Sequence, residues 1–126
     1  MANQLNDKQP IYVQIRNLLE DMIVKGQLKE GEQTPSTAQL SEFYKINHIT
    51  VSKGVNQLVD EGILMKKRGL GVFVAEGARE KLLEKRRQAF VADFIRPLIT
   101  EANSLNLNED EVFQWIKQEM EQGEDA

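Results

Sequence analysis

Apolar residues recur at helical spacing from early in the chain. Tyr12, Ile15, Leu19, Met22 and Ile23 return every three or four positions, with Leu18 beside them, and this period predicts an amphipathic helix. Pro10 stands at its start, where a missing N–H is tolerated, and Gly26 marks its end. Gln27 to Thr34 is polar, contains Gly31 and reads as a loop. Pro35-Ser36 opens a second helix. Ser36 followed by Gln39 fits a capping box, and Leu40, Phe43 and Tyr44 form the apolar face. Lys45-Ile46 reads as a tight turn. Asn47 then caps a third helix that runs to about Glu61, with Gly62 beyond it. Val51, Val55, Leu58 and Val59 share one side of that helix. His48, Ile49, Ser52, Lys53 and Asn56 share the other.

The period then changes. Residues 63–66 and 72–74 are short apolar-rich runs on either side of Lys67-Arg68-Gly69-Leu70-Gly71, which predicts a β-hairpin with a basic tip. From about Gly77 the helical period returns. Leu83, Phe90, Phe94, Leu98, Ala102 and Leu105 form a long amphipathic seam, widened by Ile95 and Ile99. Pro97 lies inside it and predicts a kink or a split. Asn108 with Glu111 caps a last helix whose Val112, Trp115, Ile116 and Met120 share a face, and the final Gly-Glu-Asp-Ala reads as disordered. The expected fold is mainly α with a small β-hairpin. A winged helix-turn-helix over residues 1–76 precedes a two-helix dimerisation segment over residues 77–126.

Composition narrows the chemistry. The chain has no cysteine and one histidine, which leaves no disulfide, no thiolate ligand and no His-rich metal site. No metal or cofactor is expected. No signal peptide is visible, and no apolar run approaches the ~18 residues of a membrane span. The expectation is a cytoplasmic protein with no membrane partner. The net charge of −4 argues against a nucleic-acid partner until its distribution is considered. Residues 1–75 hold nine Lys/Arg against eight Asp/Glu, whereas residues 76–126 hold seven against twelve. Lys66, Lys67 and Arg68 are consecutive. Charges act within a Debye length of about 8–10 Å, so an acidic tail need not cancel a basic patch.

Two short helices joined by a tight turn, the second polar at its start, make a helix-turn-helix pattern. Such a second helix can enter the DNA major groove with its first residues at base edges. Short side chains there permit close approach. Thr50 and Ser52 can donate or accept, Asn56 can pair an adenine, Ile49 can meet a thymine methyl, and Lys53 can reach a phosphate or a guanine. His48 reads as a phosphate contact or simply as solvent-exposed. Gly54 reads as a site of close helix packing. An enzyme finds no support, since no phosphate-cradling glycine motif, activated nucleophile or metal cluster is visible. A module that binds protein through the hairpin or the seam remains the alternative.

The runs P-I-Y-V-Q-I from Pro10, I-V-K-G-Q-L-K-E-G from Ile23, P-S-T-A-Q-L from Pro35, T-V-S-K-G-V-N-Q-L-V-D-E-G-I-L from Thr50 and R-G-L-G-V-F-V from Arg68 resemble the N-terminal domain of the GntR family of bacterial transcription regulators. The remainder, with E-A-N-S-L-N-L-N-E-D-E-V from Glu101, is similar to the short C-terminal segment of the YtrA-type subfamily, which lacks large effector-binding domains and binds DNA as dimers. The resemblance implies a repressor of a palindromic operator, with double-stranded DNA and a second copy of the chain as partners. Ser36 and Thr37 would start the helix that approaches the DNA backbone. Asn47, His48, Ile49, Thr50 and Ser52 would take recognition positions, with Lys53 beside them. Arg68 and Gly69 would form the wing tip at the minor groove, with Lys67 of the basic loop beside them. Independently of the resemblance, the apolar stripe is larger than a short chain covers alone, so Leu83, Phe90, Phe94, Leu98, Ala102 and Trp115 are expected at a dimer interface, with an intrachain two-helix hairpin as the alternative. The family often has arginine where this chain has Ala38, His48 and Ser52, which implies an operator read more through A/T-rich shape than through guanines. An unidentified small-molecule effector is left open, at the dimer seam or between the domains.

Overall fold

A computed structural model of the chain describes residues 5–124. Helix α1 spans Ile11–Val24 and starts as Pro10 dictates, with the Pro10 carbonyl accepting from the N–H groups of Val13 and Gln14. It buries Ile15, Leu19 and Ile23. Helix α2 (Thr37–Tyr44) opens with a complete capping box. The Ser36 hydroxyl accepts from the Gln39 N–H at 3.0 Å, and the Gln39 side chain accepts from the Ser36 N–H at 2.8 Å. Lys45 ends it in the left-handed region at φ 58°, and the chain turns within three residues into α3 (His48–Asp60). Asn47 caps α3 by accepting from the Thr50 N–H at 2.8 Å.

Strands β1 (Leu64–Lys67) and β2 (Gly71–Val74) pair antiparallel, from Leu64↔Val74 to Lys67↔Gly71. The expected loop at 27–34 does more than connect. Leu28 is buried, Gln33 bridges Phe73, and the Thr34 N–H donates to the Val72 carbonyl at 2.8 Å. This segment therefore runs along the outer edge of β2. Its polar composition hides the pairing, because an edge this short needs backbone hydrogen bonds and no apolar alternation.

The core of these elements gathers Ile15, Leu19, Val55, Leu58, Leu64 and Val74 with Ala78 and Leu82. The last two belong to α4 (Ala78–Phe90), so the start of α4 seals the base of the winged helix. A charged network ties the same three helices. Arg16 reaches Glu20 at 3.1 Å, Glu61 at 2.7 Å and the Gln57 side chain at 2.9 Å, and Lys85 stands 3.6 Å from Glu20. Burial pulls the Arg16 guanidinium down in pKa, but its hydrogen bonds and charge pairing with Glu20 and Glu61 outweigh that and raise it overall.

The chain divides into two compact units, the first ending at Lys85 and the second beginning at Arg86. In the second unit the helix changes character before Pro97. Val91–Ile95 is a π-helical turn, and α5 (Arg96–Ser104) follows with Pro97 in its first turn. A proline at 97 offers no N–H to the carbonyl four residues earlier, and a π turn is one way to reset the pairing. The kink or split expected at Pro97 takes the form of a π turn in a backbone that stays helical. Helix α6 (Glu109–Glu124) opens with a second capping box. The Asn108 side chain accepts from the Glu111 N–H at 2.9 Å, and that of Glu111 accepts from the Asn108 N–H at 3.1 Å. It takes in Gly123 and Glu124, half of the tail expected to be disordered; Asp125 and Ala126 lie outside the described residues. Among the described residues, no helix is long and apolar enough to cross a membrane.

Candidate nucleic-acid interface

Helix α3 separates its residues cleanly. Val51, Gly54, Val55 and Leu58 are buried, whereas His48, Ile49, Lys53 and Asn56 are exposed, as is the cap Asn47. Thr50 and Ser52 stand half-buried at the margin. Ile49 is 82% exposed. An isoleucine so placed adds nothing to the core, so its methyls are available to a partner surface. The polar face is short in reach; Lys53 is its cation, and the exposed Asp60 adds a negative charge in the last turn.

The turn before α3 is held twice. The Ile46 N–H donates to the Ser41 carbonyl at 3.1 Å, and the Ser41 hydroxyl donates back to the Ile46 carbonyl. The pattern alone did not single out Ser41; a serine five residues before a turn carries no periodic signal. On α2, Ser36 is exposed and Thr37 is half-buried. With the Ser36 hydroxyl engaged by Gln39, this end presents backbone N–H groups and a positive dipole, the arrangement that suits a phosphate.

At the hairpin tip Lys67, Arg68, Gly69 and Leu70 are all exposed. Gly69 has φ 78° and Gly71 φ 127°, and the Leu70 N–H closes the turn on the Lys67 carbonyl at 2.9 Å. Gln33, in a segment whose polar composition reads as a loop, supports the tip from the side. Its amide donates to the Leu70 carbonyl at 2.9 Å. A Cβ at Gly71 would lie 2.4 Å from that amide nitrogen, so glycine there serves both the backbone angle and the close approach. Two of the cations rest on aromatic rings: Lys53 Nζ is 4.0 Å from the Tyr12 ring centroid, and Lys67 Nζ is 4.5 Å from that of Phe73.

A cleft of about 740 Å³ lies along Leu18, Met22, Leu28, Gln33, Thr34, Pro35, Gln39, Leu40, Phe43 and Tyr44. None of these side chains is charged, and burial pushes the Tyr44 phenol up in pKa. Among the described residues no cluster of three His, Cys, Asp or Glu side chains could hold a metal. The residues expected at a dimer seam are mostly open. Phe90, Phe94, Leu98 and Trp115 are exposed, Leu83 is half-buried, and Ala102 is buried with its carbonyl accepting from the Leu107 N–H.

The family model for bacterial regulatory proteins of the gntR family matches residues 11–74, the stretch that carries α1 through the hairpin. The chain belongs to the gntR family. Over 109 residues it is 31% identical to the HTH-type transcriptional repressor YtrA of Bacillus subtilis (strain 168), across 86% of this chain and 83% of the relative. A GntR family transcriptional regulator from Listeria monocytogenes has the same fold, with a TM-score of 0.71 over 90% of this chain and 98% of that one at 23% identity. The DNA-binding domain of AraR, solved in complex with operator ORX1, superposes with a TM-score of 0.52 at 27% identity, over 53% of this chain and 81% of that one. DNA-binding transcription regulation is therefore the function of this gntR-family chain.

Proposed function

We propose that the chain represses transcription in the cytoplasm as a homodimer on a palindromic operator, and that it has no catalytic role. The first half of α3 enters the major groove, where Asn47, His48, Ile49, Thr50 and Ser52 meet base edges. Ser36 and Thr37 bring α2 to the backbone, and Lys67, Arg68 and Gly69 carry the wing to the minor groove. Residues 1–76 supply DNA binding and residues 77–126 supply pairing, through Leu83, Phe90, Phe94, Leu98, Ala102 and Trp115. The observation that carries this reading is the outward face of α3, polar and short, on a helix fixed from beneath by Val51, Val55 and Leu58. The repressor named among the relatives supports it. With a single cation on α3, the operator is read largely through A/T-rich shape.

The test is footprinting on the promoter upstream of the chain's own gene across a salt series. A protected two-fold site should lose affinity with a log–log slope of about −0.9 per phosphate neutralised. Lys53→Ala and Arg68→Ala should each weaken the complex without unfolding the chain, since both side chains are exposed. Salt-insensitive binding, or a G-rich core contacted by α3, would count against the proposal.

A further inference from the structure

Lys53 is the one lysine or arginine on α3, and its placement depends on a different helix. Its ammonium lies 4.0 Å from the centroid of the Tyr12 ring, in the first turn of α1 and half-buried. The next residue, Gly54, explains why the two meet. A Cβ there would come within 2.6 Å of the Tyr12 carbonyl oxygen, so α1 and α3 are in near backbone contact at this level. That contact fixes the ring relative to the lysine stem. The hairpin repeats the device, with Lys67 Nζ 4.5 Å from the Phe73 ring centroid.

A cation over an aromatic face keeps its full charge and keeps N–H donors pointing away from the ring. What it loses is rotamer freedom, which a lysine otherwise surrenders when it meets DNA. We propose that Tyr12 is a positioning residue for DNA binding: its ring holds the Lys53 ammonium at the seam of α1 and α3, set for a backbone phosphate and away from the base edges. This rests on the reading that α3 faces DNA. It assigns Lys53 to affinity and leaves sequence discrimination to the uncharged residues before it. A phosphate contact contributes equally on any sequence, whereas a guanine contact does not.

The experiment measures affinity of the full chain for its footprinted operator and for a scrambled duplex across a salt series. The variants are Tyr12→Phe, Tyr12→Leu, Lys53→Ala and the Tyr12→Leu/Lys53→Ala double variant. Lys53→Ala should weaken both duplexes by a similar factor and reduce the salt slope by about 0.9. Tyr12→Leu should weaken both about two- to fivefold, Tyr12→Phe should match the unaltered chain, and Tyr12→Leu should add nothing once Lys53 is gone. An equal Tyr12→Leu penalty in the Lys53→Ala background would overturn the inference, because the ring would then serve only the fold. A Tyr12→Phe loss as large as that of Tyr12→Leu would assign the effect to the hydroxyl, and tighter binding by Tyr12→Leu would mean that the ring withholds the ammonium; either result overturns it. If Lys53→Ala changes neither affinity, the DNA face assigned to α3 falls and this inference falls with it. A Lys53→Ala loss without coupling to Tyr12 sinks the inference alone.

Discussion

Gly54 sets two residue-scale effects against each other. Alanine is preferred to glycine inside a helix by about 1 kcal/mol, so Gly54→Ala on an open surface would stabilise. Here the added Cβ meets the Tyr12 carbonyl oxygen at 2.6 Å, and backbone cannot swing aside as a side chain can. Overpacking of this kind costs about 1–3 kcal/mol, and separating α1 from α3 also opens the Ile15–Val55 region of the core. Net destabilisation is expected, read as a lower urea midpoint with unchanged slope. Ile49 gives the opposite case. At 82% exposed it contributes little to folding, so Ile49→Ala should leave stability within about 0.5 kcal/mol. The same variant should weaken the operator complex selectively where the site carries thymine methyls, as seen by comparing affinities for thymine- and uracil-substituted duplexes.

The elements differ in how far their sequence discloses them. Helices α1, α2 and α3 and the hairpin were legible because their signals are local: a 3.6-residue period, the Ser36–Gln39 and Asn47 caps, and the glycines at 69 and 71. The edge segment at 31–34 was not, because its bonds join residues far apart, as Gln33 to Leu70, and follow no period. Gln33→Ala should therefore act on the wing as an element. Loss of one hydrogen bond lowers stability by about 1 kcal/mol, while faster hydrogen exchange at the Lys67–Gly71 turn and weaker DNA binding should accompany it. The α1–α3–α4 charge network was equally hidden. Glu20 is 6% exposed, and Arg16→Leu would remove its 3.1 Å pairing while Lys85 stays at 3.6 Å. Losing a charged hydrogen bond this buried should lower stability by about 1–3 kcal/mol in chemical unfolding.

At the scale of the whole molecule, the exposed aromatic residues of the second unit are the feature that folding of one chain leaves unexplained. Phe94 is 65% exposed and lies 5.7 Å, ring centroid to centroid, from Phe90, which like Trp115 on α6 is 52% exposed. Each such ring can bury about 150–250 Å², and monomeric proteins rarely leave several of them together in water. These residues follow the seam visible in the sequence, where the apolar period persists beyond what a short chain can cover. What the sequence leaves out is the identity of the covering surface, since a stripe looks the same whether it meets its own chain or another copy. If a second copy covers it, Phe94→Asp places a charge in a desolvated contact and should convert the dimer to a monomer in sedimentation, with far-UV circular dichroism unchanged because Phe94 supports no core. Two half-sites bound through one dimer gain affinity over single domains by about 10²–10⁴. The Phe94→Asp chain should lose that factor on the full operator yet bind an isolated half-site as the unaltered domain does. Equal loss on both duplexes would mean that Phe94 acts on the DNA-binding unit itself, and a variant that still sediments as a dimer would move the pairing surface away from this stripe.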